Sequence, residues 1–147
     1  MTNINTPIWH WYHNVSECHY HIQITVKYRK VLLDEQVQKV IRESLQGIKE
    51  RYAVEISHYG FDQNHLHILT QFLPTYSGGQ VIRLVKSISA KKVFQQVSEI
   101  KKELWGGEFW TDGYYVGTVS ERGNWSVVEK YIREQGMKPE EVQLRLF

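Results

Sequence analysis

The chain has 147 residues, 41% of them hydrophobic and 23% charged, with one cysteine and a formal charge of +2 at pH 7. That length suits a single domain over residues 1–147 with its own core, and the lone Cys18 excludes an internal disulfide framework and a CxxC zinc site. No apolar run is long enough for a membrane span and no basic-then-apolar leader opens the chain, so the expected place is the cytoplasm.

Residues 1–17 carry Trp9, Trp11 and Tyr12 but little periodicity. From Cys18 to Val26, Tyr20, Ile22, Ile24 and Val26 alternate with His19, His21, Gln23 and Thr25, which predicts a strand with one apolar and one polar face. After a basic KYRK segment, Asp34 is placed to cap a helix in which Val37, Val40, Ile41, Leu45 and Ile48 recur at helical intervals, ending near Tyr52. Strands follow over 54–61 and 65–72, joined by the polar turn Asp62-Gln63-Asn64. Pro74, Ser77, Gly78 and Gly79 mark a loop before an amphipathic helix from Val81 to Val97, with a break expected near Ser87 to Ser89. An aromatic, glycine-rich segment from Leu104 leads into a fourth strand at about Tyr114 to Val119. A last helix is punctuated by the Ser126 and Glu129 capping pattern at its start and by Gly136 and Pro139 at its end. The order β-α-β-β-α-β predicts an α+β protein. The expected architecture is a ferredoxin-like antiparallel sheet, the arrangement also used by RNA-recognition domains, with helices on one face and the other face free.

Two stretches of this plan carry chemistry. In Asn64-His65-Leu66-His67-Ile68-Leu69 the two imidazoles are two residues apart, so on a strand they share a face and form a two-toothed metal clamp. The plain alternative is a pair of polar residues on the wet face of an edge strand. His19-Tyr20-His21 has the same spacing, and spacing does not choose between the two pairs. If the first and third strands are central neighbours, both pairs lie on the same side. On the last helix, Tyr131 and Gln135 are four apart and share one face. A phenol with a pKa near 10 needs a cation or base beside it to act as a nucleophile, and a metal on the histidines would polarise a phosphodiester for attack. Gln135 would then complete the metal shell through its amide oxygen.

With these motifs in view, the chain resembles the single-tyrosine transposases of the His-hydrophobic-His (HUH) class, insertion-sequence enzymes that move single-stranded DNA. The matching features run in the family's order: KYRKVL, NHLHIL, LVKSISAKKVF, LWGGEFWTDGYYVGTV and YIREQG. The resemblance implies His65 and His67 as ligands of Mg²⁺ or Mn²⁺, Gln135 as the third ligand and Tyr131 as the nucleophile, and so favours His65 and His67 over His19 and His21. It implies a 5′-phosphotyrosine intermediate and recognition of hairpins at the element's ends. A homodimer is implied too, with a tyrosine helix able to complete the partner's site. Gly123 and Asn124 are the hinge candidates for that helix, and Lys27, Arg29, Lys30, Arg83, Lys86, Lys91 and Lys92 are candidate phosphate contacts.

Two departures stand out. Family members often carry Pro-Asp before the first metal histidine, where this chain has Gln63-Asn64. Asparagine there resembles the domesticated transposases associated with repetitive extragenic palindromes, but those end the tyrosine motif with Asn-Pro where this chain has Glu134-Gln135. The alternative function is a non-catalytic or domesticated hairpin-binding module of the same fold. A base-stacking RNA-recognition domain fits less well, since its third strand is aromatic and this one reads His-Leu-His-Ile-Leu.

Overall fold

Alternation along the first long strand sets the architecture. A computed structural model describes residues 9–11, 14–16, 19–73 and 75–119. Strand β3 (His19–Thr25) sends Ile22 and Ile24 into the core, and Val26 follows them through an isolated bridge to Trp110. Helix α1 (Glu35–Arg51) begins where Asp34 accepts a hydrogen bond from the Val37 amide at 2.9 Å, and it ends as expected at Tyr52. Its apolar stripe, Val37, Val40, Ile41, Leu45 and Ile48, lies wholly in the core.

Strands β4 (Val54–Phe61) and β5 (His65–Phe72) form the predicted antiparallel hairpin, with a register irregularity between Ile56 and His58. Helix α2 (Gly78–Gln96) starts on a capping box in which Ser77 and Gln80 satisfy each other's backbone amides, three residues earlier than the hydrophobic pattern suggests. The break expected near Ser87 to Ser89 is absent. Ser89 turns its hydroxyl back onto the Val85 carbonyl at 2.6 Å and accepts the Trp110 indole N–H at 2.9 Å, so its polar group is satisfied without interrupting the helix. After the short α3 (Ile100–Glu103), β6 (Tyr115–Val119) closes the sheet.

The sheet order is β4-β5-β3-β6, antiparallel throughout, so the first and third long strands are the central neighbours, as the ferredoxin-like topology requires. The N-terminal residues hold a structure that their sequence does not announce: β1 (Trp9–Trp11) pairs with β2 (Asn14–Ser16) as a separate two-stranded sheet. Three-residue strands are too short to display a period of two.

Helices α1 and α2 cover one face of the main sheet. The other face, expected to be free, is not open where the histidines stand. His19, His21, His67, Leu69 and Gln71 are all buried, and Leu69 stands apart from the main apolar cluster because it points away from the helices. The predicted last helix, with Ser126, Glu129, Tyr131, Gln135, Gly136 and Pro139, and the hinge residues Gly123 and Asn124 lie outside the described residues.

Candidate functional site

Register decides which side chains meet. Gln23 pairs with His67 and Thr25 with His65, so His21 is the diagonal neighbour of His67 across the two central strands. The His65 and His67 rings stand 6.0 Å apart on one face of β5, as the clamp requires. Because β5 is an interior strand and His67 is 2% exposed, the pair is not a wet edge-strand face.

The rival pair proves to be a neighbour of the clamp. His21 Nε2 faces His67 Nδ1 at 3.2 Å, with ring centroids 5.4 Å apart and planes within 13°. Tyr115 lies tilted against the other side of His21 at 5.5 Å. It does so by leaning back over Gly117, which pairs with His21; a β-carbon at Gly117 would collide with the Tyr115 phenol.

Burial makes these imidazoles neutral. It pushes His21 from 6.5 down to about 4. His67 is held well below the ordinary histidine value by burial first, then by the neighbouring His21 and His65. His65, half-buried, is also lowered by burial, against the pull of Asp62 and with a small push from Arg29. A neutral imidazole keeps a lone pair at physiological pH, which is the form a metal binds, so the donor set fits a divalent ion. Among the described residues no three His, Cys, Asp or Glu side chains converge as a complete ligand set. The further ligand expected at Gln135 and the nucleophile expected at Tyr131 lie outside the described residues.

The turn before the clamp is tied down on both sides. Asn64 accepts from the Val26 amide through its carbonyl and donates its side-chain N–H to the Arg29 carbonyl at 3.1 Å, while the Gln63 carbonyl accepts from Leu33. The KYRK segment wraps around this turn. Tyr28 and Arg29 sit at φ of 61° and 54°, a left-handed conformation that non-glycine residues seldom adopt.

The expected phosphate contacts divide into two groups. Lys27 is paired with Glu108 at 2.8 Å and Lys30 with Glu103 at 3.3 Å. Lys86 donates to the carbonyls of Thr111, Asp112 and Gly113 at 2.6, 3.1 and 3.1 Å, and so ties α2 to the segment leading into β6. Arg29, Arg83 and Lys91 are exposed and Lys92 is half-buried. Arg83 and Lys91 line a groove of about 850 Å³ between α2 and residues 107–112, whose rim also carries Glu108 and Asp112. One feature was not singled out from the sequence. Trp105, 83% exposed, stacks on the exposed Tyr28 with centroids 6.0 Å apart, beside Arg29. The exposure of an aromatic pair amid cations is visible only once the fold is known.

Comparison with known proteins bears on what such a site does. The family model described as "Transposase IS200 like" matches residues 14–135. The ISDra2 transposase TnpA of Deinococcus radiodurans is 29% identical over 121 residues, 82% of this chain and 86% of that one. The transposase for insertion sequence element IS200 of Salmonella typhimurium is 28% identical over 123 residues, 84% of this chain and 80% of that one. Among solved structures, a Deinococcus radiodurans R1 protein assigned as a transposase superposes with a TM-score of 0.71 at 24% identity, covering 86% of this chain and 96% of that one. A REP-associated tyrosine transposase bound to a REP hairpin superposes at 0.59 with 11% identity, covering 78% and 64%. At these identities the two superpositions establish the fold.

Proposed function

The chain belongs to the IS200-like transposase family, and from that premise we propose a metal-dependent, cytoplasmic enzyme that cleaves and rejoins single-stranded DNA through Tyr131. The observation that carries this reading is the clamp. His65 and His67 share one face of an interior strand, their rings 6.0 Å apart and held neutral by burial. His65 and His67, with the amide oxygen of Gln135, would hold Mg²⁺ or Mn²⁺. When bound, the ion supplies positive charge for the non-bridging oxygens of the scissile phosphate.

The Tyr131 phenolate attacks phosphorus. The bond to the 3′ oxygen breaks, the released 3′ oxyanion takes up a proton to become a hydroxyl, and the 5′ end stays on the enzyme as a phosphotyrosine. In the second step a 3′-hydroxyl attacks that phosphotyrosine and returns the phenol, so no external energy is consumed. Hairpins near the element's ends are the proposed recognition feature, a reading supported by the REP hairpin in the complex that shares this fold. Arg29, Arg83 and Lys91 are the exposed cations available to its phosphates. The Trp105 and Tyr28 pair offers a surface for an unpaired base. The working unit is proposed to be a homodimer in which the tyrosine helix, swung on Gly123 and Asn124, completes either subunit's site.

The test takes labelled single strands of the DNA that flanks the gene, incubated with the protein and Mn²⁺ or Mg²⁺. The expected product is a protein-DNA adduct that survives denaturation and disappears with chelator. An adduct that persists in Tyr131→Phe overturns the nucleophile, and indifference to chelator overturns the metal. Hairpin binding with no adduct under any metal is the outcome for a non-catalytic module. Light scattering at micromolar concentration tests the dimer.

A further inference from the structure

We infer that Trp105 carries a stacking subsite for one unpaired base of the DNA strand, in the cleft that it walls with Phe94, and that Arg29 takes a neighbouring phosphate. The inference deepens the function proposed above and rests on single-stranded DNA being the substrate. Trp105 is 83% exposed, so its ring forgoes in the free protein the burial that so large an apolar surface offers. It stacks on Tyr28 with the ring planes at 21°, and it also walls a cleft of about 200 Å³ lined by Phe94, Lys101, Leu104 and Gly107. Leu104 is buried in the core and Phe94 packs edge-on against buried Phe109, so the lining is anchored in the main apolar cluster. Gly107, at φ of 81°, turns the chain there in a conformation that other residues seldom adopt.

Tyr28 and Trp105 come from distant segments, and a backbone bond and two ion pairs hold those segments together. The Lys27 amide donates to the Phe109 carbonyl at 2.8 Å, the Lys27 ammonium pairs with Glu108 at 2.8 Å, and Lys30 pairs with Glu103 at 3.3 Å. The rings are therefore in place before DNA arrives, and little ordering entropy opposes binding. The same pairs engage the acids on either side of Trp105 and leave Arg29 exposed. The Arg29 carbonyl accepts from the side chain of Asn64, the residue before His65, at 3.1 Å, so the turn that carries Tyr28 and Arg29 abuts the clamp.

The occupant follows from this chemistry. Any base can stack on an aromatic ring, but in a duplex stem the base faces are covered by neighbouring pairs, so only an unpaired base offers one. Arg29 and Lys101, both exposed, frame the rings with positive charge that suits the phosphates on either side of such a base. An apolar protein partner would bury those cations unpaired, at a cost.

The test uses the full-length, metal-free protein and the fluorescence anisotropy of labelled single strands of the DNA that flanks the gene, each made with an abasic site at one position in turn. Trp105→Ala removes an exposed ring and leaves the core as it is, and Trp105→Phe keeps a ring. Wild type is expected to lose about 5- to 100-fold in affinity when the base at one unpaired position is missing. Trp105→Ala should show a loss of similar size on the intact strand and no further loss at that position, while Trp105→Phe keeps most of the affinity. Four results overturn the inference and leave the proposed function standing. They are equal affinity of wild type and Trp105→Ala, an abasic loss as deep in Trp105→Ala as in wild type, a loss in Trp105→Phe as deep as in Trp105→Ala, and the absence of any sensitive unpaired position. If wild type binds none of the strands, the DNA reading falls and the inference with it.

Discussion

At the middle of β3 and β5 both sides of the sheet are buried, and they are built from different chemistry. Toward the helices, Ile22, Ile24, Leu66 and Ile68 are at most 1% exposed and belong to the main apolar cluster. Away from them, on the same residues' sequence neighbours, His21 and His67 are 3% and 2% exposed, and their nitrogens face each other. An apolar side chain gains from leaving water wherever it packs. A buried imidazole is costly unless its polar atoms find partners, so the histidine side is specified by geometry where the other is specified by volume. The side that costs stability is the one able to lend a lone pair to a metal.

The largest expected effect separates the two sides by function. His67→Ala should bring metal-dependent cleavage to background, whereas Ile68→Ala, its neighbour on the opposite side, should leave cleavage measurable in protein that is still folded. A cleaving His67→Ala protein would break the comparison. Ile68→Ala should instead lower stability by about 2–5 kcal/mol, read by urea unfolding, because the core cannot fully collapse around the lost methylenes.

Acid should act on the histidine side alone. His21 titrates from 6.5 down to about 4 on folding, and His67 is shifted in the same direction. Below pH 6.5 the unfolded chain therefore binds protons that the folded chain refuses. Their contribution to stability is whole above that pH and is lost as pH falls toward about 4. Urea titrations of metal-free protein at neutral pH and near pH 5 measure the fall, and His21→Gln should make it shallower; an unchanged slope in that variant would count against the buried neutral imidazole.

A smaller effect is expected at Lys86, whose ammonium holds three carbonyls of residues 111–113. Lys86→Met should lower stability by about 1–3 kcal/mol, since those carbonyls lose their donor. The same substitution made at exposed Lys91 should leave stability unchanged. Its effect should appear in hairpin affinity, with the salt dependence of binding reduced by about one unit of slope.

Much of this architecture was legible in the residues because it is encoded locally. The alternation from Tyr20 to Val26, the Asp34 cap with its apolar stripe, and the polar turn at Asp62 to Asn64 each sit within a few residues of one another, where periodicity and capping chemistry act. The unannounced N-terminal hairpin was too short for a period. The expected break at Ser87 to Ser89 read serines as helix breakers, when Ser89 was bonded to a turn of its own helix and to Trp110, 21 residues away. The partners of Lys86 were equally illegible, because nothing near it in the chain reveals the carbonyls it holds 25 to 27 residues later.

The sequence by itself determined the element order, the strand on which His65 and His67 share a face, and the family resemblance carried by its ordered motifs. Only the tertiary structure decided what His21 is. From spacing alone it was half of a competing clamp; in the sheet, β3 pairs with β5 in a register that sets it diagonally beside His67, nitrogen to nitrogen and out of water. The physical reason is that side-chain direction along a strand repeats every two residues and is written locally, while the register between strands 46 residues apart is set by how both pack on the helices, and a slip of one residue would turn every imidazole to the other face.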